Sequence, residues 1–219
     1  MIGCSGTGEG PMTVSSMALA QPQWFRDAIE AIDAANSADP VTVNFDGELR
    51  AKELVHADRM GHWVLVLDPD ATPAQLIAAR AHHLRRWVSP RTDYPEGRAG
   101  YLKWRSAQKV RQAEELRAIL TDARCPDPVV AEAVAIVAKE RLRSDDPRAQ
   151  LHEDALCLVC MELQFDELAL QLGEAKIIEV LRRTAAKMSE QALEAVKMIS
   201  LSAEGKQLIT KALSADESL

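Results

Sequence analysis

A chain of 219 residues with 47% hydrophobic composition is long enough for one well-cored domain and too apolar for wholesale disorder. Its formal net charge of −7 argues against a broad nucleic-acid surface, so RNA or DNA binding is disfavoured, while leaving room for a local basic pocket. The opening stretch, MIGCSGTGEGPMTVSSMALAQPQ, lacks a basic segment followed by an apolar core, and no later run is apolar enough to span a bilayer; a cytoplasmic protein without a membrane partner is expected.

Strand formers are not grouped into alternating runs, whereas Ala, Leu, Glu, Gln and Arg recur periodically, which predicts an all-α fold, a compact multi-helix bundle. Residues 1–21 read as a flexible segment, 22–201 as a single helical domain, and 202–219 as a short C-terminal helix or tail. Within the domain, QWFRDAIEAIDAANSADP predicts a first helix closed by the cluster from Asn36 to Pro40. A second is expected from Glu48 to Leu67, and a third from Pro73, capped by Thr72 and ending before Pro90. After a turn-rich loop through Gly100, helical pattern resumes from Tyr101 to Leu120 and again from Val129 to Leu142. SDDPRAQ interrupts it; a long apolar helix then covers His152 to Leu172 and a last substantial one Ala175 to Ile199, with a short helix after Ser202. Cys157 and Cys160 lie inside an apolar helical run and have no second pair, which argues against a redox or zinc-knuckle motif.

Chemistry concentrates in four places. On the second helix Leu49, Glu53, His56, Met60, Trp63 and Leu67 form one stripe, placing a carboxylate and an imidazole three residues apart on the inward face. They are either a core ion pair or metal ligands. The third helix has an apolar stripe through Ile77, Ala81, Leu84 and Val88, flanked by His82 and His83, whose directions differ by about 100°. His83 points more inward. In LHEDALCLVCMELQFDEL, Asp154 leads into the central helix, where it either satisfies free backbone amides or closes a cage with His56 and His82 or His83. A mixed His/Asp set suits a divalent transition metal, Zn, Mn, Fe, Co or Ni.

The fourth place is the loop after the histidines. Arg86, Arg91, Arg98, Arg105 and Lys109 are interleaved with Trp87, Tyr94, Tyr101 and Trp104, four of the nine Tyr, Trp and Phe residues in the chain. Arginine forks grip phosphate or carboxylate at two points, and the aromatic rings can pack the loop or stack on a planar base, although such arginines also tie loops to acidic helices. Lys139 is a further phosphate contact.

In order of signals the chain resembles the HD-type metal phosphohydrolase superfamily, helical bundles with a histidine on one helix, a His-Asp pair on a later one and a distant aspartate. His56 matches the first histidine and Asp154 the distant aspartate, while His82-His83 stands where that superfamily has His-Asp. This departure weakens two-metal chemistry and leaves a single-metal site with Glu53 or Glu153 as an added acid. More closely, the stretch from ELVHADRM through HHLRRW, PRTDYPEGRAGYLKWR and EDALCLVCMELQFDEL is similar to an uncharacterised family, the domain of unknown function DUF4202. Its hallmarks match His83, Arg86, Trp87, Pro90, Arg91, Tyr94, Pro95, Arg98, Gly100, Tyr101, Trp104, Arg105, Glu153 and Asp154. Glutamine is common there at the position of His82 and tyrosine occurs at that of His56, which gives His83 and Asp154 the greater weight.

The resulting expectation is a metal-dependent phosphohydrolase acting on a phosphate ester or nucleotide. His56, His82, His83 and Asp154 would hold the metal and Glu53 or Glu153 would serve as base. Arg86, Arg91, Arg98, Arg105, Lys109, Lys139, Tyr94, Tyr101 and Trp104 would bind the substrate. The alternatives are a binding module for a nucleotide or small anion, and a helical protein-interaction domain using Ile177, Val180, Leu181 and Met188.

Overall fold

A computed structural model describes residues 21–139 and 146–213; all but the last residue of the flexible segment expected over 1–21, the end of the helix expected to reach Leu142, and the last six residues lie outside them. The described residues form an all-α fold of ten helices with one small hairpin. No helix among them is long and apolar enough to cross a membrane.

Helix α1, Gln23–Ser37, buries Phe25, Ala28, Ile29 and Ile32, the spacing of one helical face. A hairpin follows where the second helix was expected to begin: β1, Thr42–Phe45, pairs antiparallel with β2, Glu48–Ala51. Asp46 and Gly47 between them both have positive φ, 53° and 83°, the two-residue turn that matches strand twist. Leu49 therefore leaves the predicted stripe and is exposed. Helix α2 runs from Lys52 to Leu67, with Asp39 tying down its start by accepting from the amides of Val41, at 2.9 Å, and Glu53, at 3.1 Å. Its inward face carries Glu53, His56, Met60, Trp63 and Leu67, all buried.

Helix α3, Pro73–Arg80, opens with the expected cap, a reciprocal box between Thr72 and Gln75. It stops at Arg80, earlier than the sequence pattern, so both histidines lie in the turn beyond it. The cause is tertiary. Arg111 donates to the carbonyls of Leu84 and Arg85, Gln108 donates to those of Arg86 and Ser89, and Asn36 accepts from the amide of Arg85, which has φ 45°. Backbone groups that a helix would pair internally are thus paired by side chains of neighbouring helices. Ile77, Ala81 and Leu84 are buried as expected, but Val88 turns outward.

Helix α4, Gly97–Asp122, starts four residues before the predicted boundary, and α5 spans Asp127–Ala138, closed by Lys139 with φ 53°. The two expected long helices are each broken. The central one is α6, Pro147–Leu163, and α7, Phe165–Leu172, separated at Gln164. The next is α8, Glu174–Ala185, and α9, Glu190–Ala195, capped by Ser189. Helix α10, Ala203–Leu213, packs on α8 and α7. Ile177 and Leu181 are buried, and Val180 and Met188 pack against the core, so the apolar face considered for a protein partner is covered from within the chain. Helix α2 packs on both α3 and α6, and α5 on α3 and α4, which brings the histidine turn, α4 and α6 around one cavity.

Candidate metal and anion site

His56 comes from α2, and His82 and His83 from the turn after α3. One ring nitrogen from each lies within 4.8 Å of the others, close enough for three imidazoles to share one ion. His56 and His83 stack with ring centres 4.0 Å apart and planes at 15°. Among the described residues nothing hydrogen-bonds the buried Nε2 of His56, a costly arrangement unless something accepts its lone pair or its proton.

Each of the other two rings has a partner at Nδ1. His83 Nδ1 lies 3.1 Å from Glu53 Oε2, and His82 Nδ1 lies 2.7 Å from His152 Nε2. His83 Nε2 faces the Arg86 guanidinium at 2.6 Å. Since Arg86 only donates, His83 accepts there and donates from Nδ1 to Glu53. Burial holds His56, His82 and His83 well below the ordinary histidine value, and it lowers His152 to about 4. All four are therefore neutral near pH 7, as metal-ligating imidazole requires. Burial also raises the Glu53 carboxyl.

The cluster opens into a cavity of about 300 Å³ whose far wall is α4. Tyr101, Trp104, Arg105, Gln108, Lys109 and Gln112 line that wall, and Lys139 enters from the end of α5. The Arg86 guanidinium lies 4.7 Å from the centre of the Trp104 ring, and that of Arg105 lies 5.7 Å from the Tyr101 ring. Burial, reinforced by Lys139 and Arg105, lowers Lys109. Among the described residues Arg86, Arg105 and Lys109 form no ion pair with a carboxylate. Glu53 faces Arg86, and Glu153, paired with Lys139, faces Arg105 and Lys109. Burial opposes the charge of Glu153, but Lys139, His152 and Arg105 together keep its carboxyl below the ordinary value.

Asp154 is placed differently from the expectation. Its Oδ1 accepts from the Ser189 amide at 3.1 Å and from the Gln150 side chain at 2.9 Å, fastening the start of α9 to α6. It is outside the histidine group. Two residues along a helix turn a side chain by about 200°, so the α6 residue that meets His82 is His152, which the sequence reading passed over. Its signal was present: His152, Ala155 and Val159 follow helical spacing and are all buried.

Arg91 is also reassigned. Its guanidinium donates to the carbonyls of Tyr94, Pro95 and Gly97, at 2.8, 2.9 and 3.3 Å, and so shapes the loop itself. Tyr94 approaches Ser89 Oγ at 3.4 Å, and Arg98 is exposed on the first turn of α4; neither lines the cavity. Gln108 and Gln112 join the wall without having been anticipated, and the Nε2 of Gln112 is buried without a partner.

The family model described as Domain of unknown function (DUF4202) matches residues 26–209, and the chain belongs to that family. No curated protein and no solved structure matches it.

Proposed function

We propose that this DUF4202 protein is a metal-dependent phosphohydrolase acting on a phosphate ester or nucleotide, with one divalent transition ion held by His56, His82 and His83. A single observation carries this reading: three neutral imidazoles line the same cavity as Arg86, Arg105 and Lys109, which form no ion pair with a carboxylate among the described residues. Three nitrogen donors from the protein suit an ion that keeps a position open, the ligand count of catalytic sites. When bound, such an ion supplies Lewis-acid polarisation of a phosphoryl oxygen and lowers the pKa of water.

Charge and position assign the remaining roles to the chain's own groups. Arg105, Lys109 and Lys139 draw an anion into the cavity, and Tyr101 at its mouth offers a ring face for a planar group. Arg86 donates to the lone pair of His83, so an ion held by His83 would take that place and would leave the guanidinium free to offset charge on phosphoryl oxygens. Glu53 orients His83, and Glu153 holds Lys139, so both acids act as positioning groups in this reading. The order of histidines resembles that of the HD-type phosphohydrolases, but the placement of Asp154 departs from that pattern, and the proposal rests on the histidine trio instead.

The test is elemental analysis of protein purified without an affinity metal, followed by turnover of a phosphate-ester and nucleotide panel. The expected result is close to one transition ion per chain, with activity lost in His56→Ala and His83→Ala and metal retained in Asp154→Asn. Absence of metal uptake in the wild type overturns the reading. Stoichiometric binding of phosphate or nucleotide without turnover favours the second reading, an anion-binding module. The Arg86 contact supports that alternative, because it keeps the cavity cationic without an ion.

A further inference from the structure

We infer that His152 is a positioning residue for the metal centre, setting the tautomer of His82 by accepting its Nδ1 proton. The inference rests on the metal reading above and adds a residue to it. Two imidazole nitrogens 2.7 Å apart share one proton, so one ring donates and the other accepts. If His152 donated, the neutral His82 ring would carry its own proton on Nε2 and could not ligate. If His82 donates, its Nε2 lone pair is free. Metal loading therefore requires His152 as the acceptor, just as it requires Glu53 as the acceptor for His83.

The surroundings favour that role. His152 is buried on α6, 70 residues from His82 in sequence, and Val64, Gln75, Ile136, Arg148 and Leu151 line the narrow space beside it. Water has little access to compete for the His82 proton. The choice of an imidazole over a carboxylate also has an electrostatic consequence. Glu53 already places one negative charge behind the ligands; a second in the place of His152 would make His82 a stronger donor but would subtract from the positive field of the cavity. A neutral acceptor orients the ligand and leaves that field intact.

The prediction is read from Co²⁺ and Zn²⁺ affinity of the full chain, with the visible spectrum of the Co²⁺ form as a report on ligand geometry. His152→Leu, which removes the acceptor, is expected to weaken metal binding by roughly 10- to 100-fold and to shift the Co²⁺ bands. His152→Gln, whose Oε1 can still accept, is expected to stay within about fivefold of wild type. His152→Glu is expected to tighten metal binding while weakening inorganic phosphate binding to the loaded protein. Urea unfolding in chelator establishes that each variant folds. Unchanged affinity in His152→Leu overturns the inference, as does a folded His152→Gln that is as weak as His152→Leu. Should His152→Leu fail to fold, the Gln and Glu variants decide, and weaker metal binding in His152→Glu overturns it. A wild type that takes up neither ion removes the metal reading itself, an outcome distinct from a wild type that binds while the variants do not respond.

Discussion

Replacing His152 with glutamine should flatten the acid sensitivity of the metal-free protein. Burial takes His152 from the ordinary 6.5 down to about 4 in the fold. Between those values the unfolded chain binds a proton that the folded chain refuses, so stability is present above pH 6.5 and lost as pH falls toward 4. Moving one titration that far corresponds to about 3 kcal/mol. His56, His82 and His83 are lowered for the same reason and act in the same direction. Glu53 acts oppositely, because its raised carboxyl favours the fold at acid pH and that contribution fades as pH rises. It is one group against four. Urea unfolding in chelator at pH 7 and pH 4.5 gives the loss for wild type and for His152→Gln; comparing losses, not absolute stabilities, cancels any packing change common to both pH values. The variant should lose less than wild type by about 2–3 kcal/mol. Equal losses, within about 0.5 kcal/mol, would refute the claim that His152 is held neutral by the fold.

Three other substitutions probe the support around the site. Gly100→Ala would put a Cβ 1.7 Å from the Pro95 carbonyl oxygen, and thermal or urea unfolding should show at least about 2 kcal/mol of destabilisation. Arg91→Ala removes the bonds to three loop carbonyls; limited proteolysis should cut between Ser89 and Gly97 while phosphate affinity stays at the wild-type value, whereas a large affinity loss with an unchanged digest would restore Arg91 to the substrate site. Arg80→Ala strips Asp33 of a two-point partner, at 2.5 and 2.7 Å, beside Asp58, and urea unfolding should register a loss of about 3–5 kcal/mol.

Local chemistry made parts of this structure readable before any coordinates. The stripe of α2 from Glu53 to Leu67 and the cap at Thr72 depend on residues within one or two turns, and both emerged where expected, whereas Leu49 fell outside the stripe. The hairpin was legible too, in the Asp46-Gly47 pair, but the four-residue second strand, Glu48–Ala51, was absorbed into the helix expected to begin at Glu48. The end of α3 was not local information. Arg111 and Gln108, more than twenty residues away, unwind it by taking its carbonyls. The exchange of Asp154 for His152 has the same origin: both are buried on α6, and only the packing of α6 between α2 and α9 decides which face meets the histidines. The loop contacts of Arg91 were not legible because sequence shows an arginine among turn formers without showing that three carbonyls converge on it.

The unwinding of α3 also joins the two ends of the cavity. Had the helix continued, its carbonyls would have been paired internally and α4 would have had no hold on this segment. Instead Gln108 bonds the backbone of Arg86 and Ser89, while Trp104 donates to Ser89 at 2.9 Å and lies under the Arg86 guanidinium. The same face of α4 presents Arg105 and Lys109 to the cavity. The segment that carries His82 and His83 and the helix that carries Arg105 and Lys109 therefore share one set of supports. Arg86 belongs to both, held at its carbonyl by α4 and touching His83 with its side chain. In the proposed function, an ion on the histidines would free the Arg86 guanidinium from His83, and by reciprocity an anion that engaged that guanidinium would favour the ion.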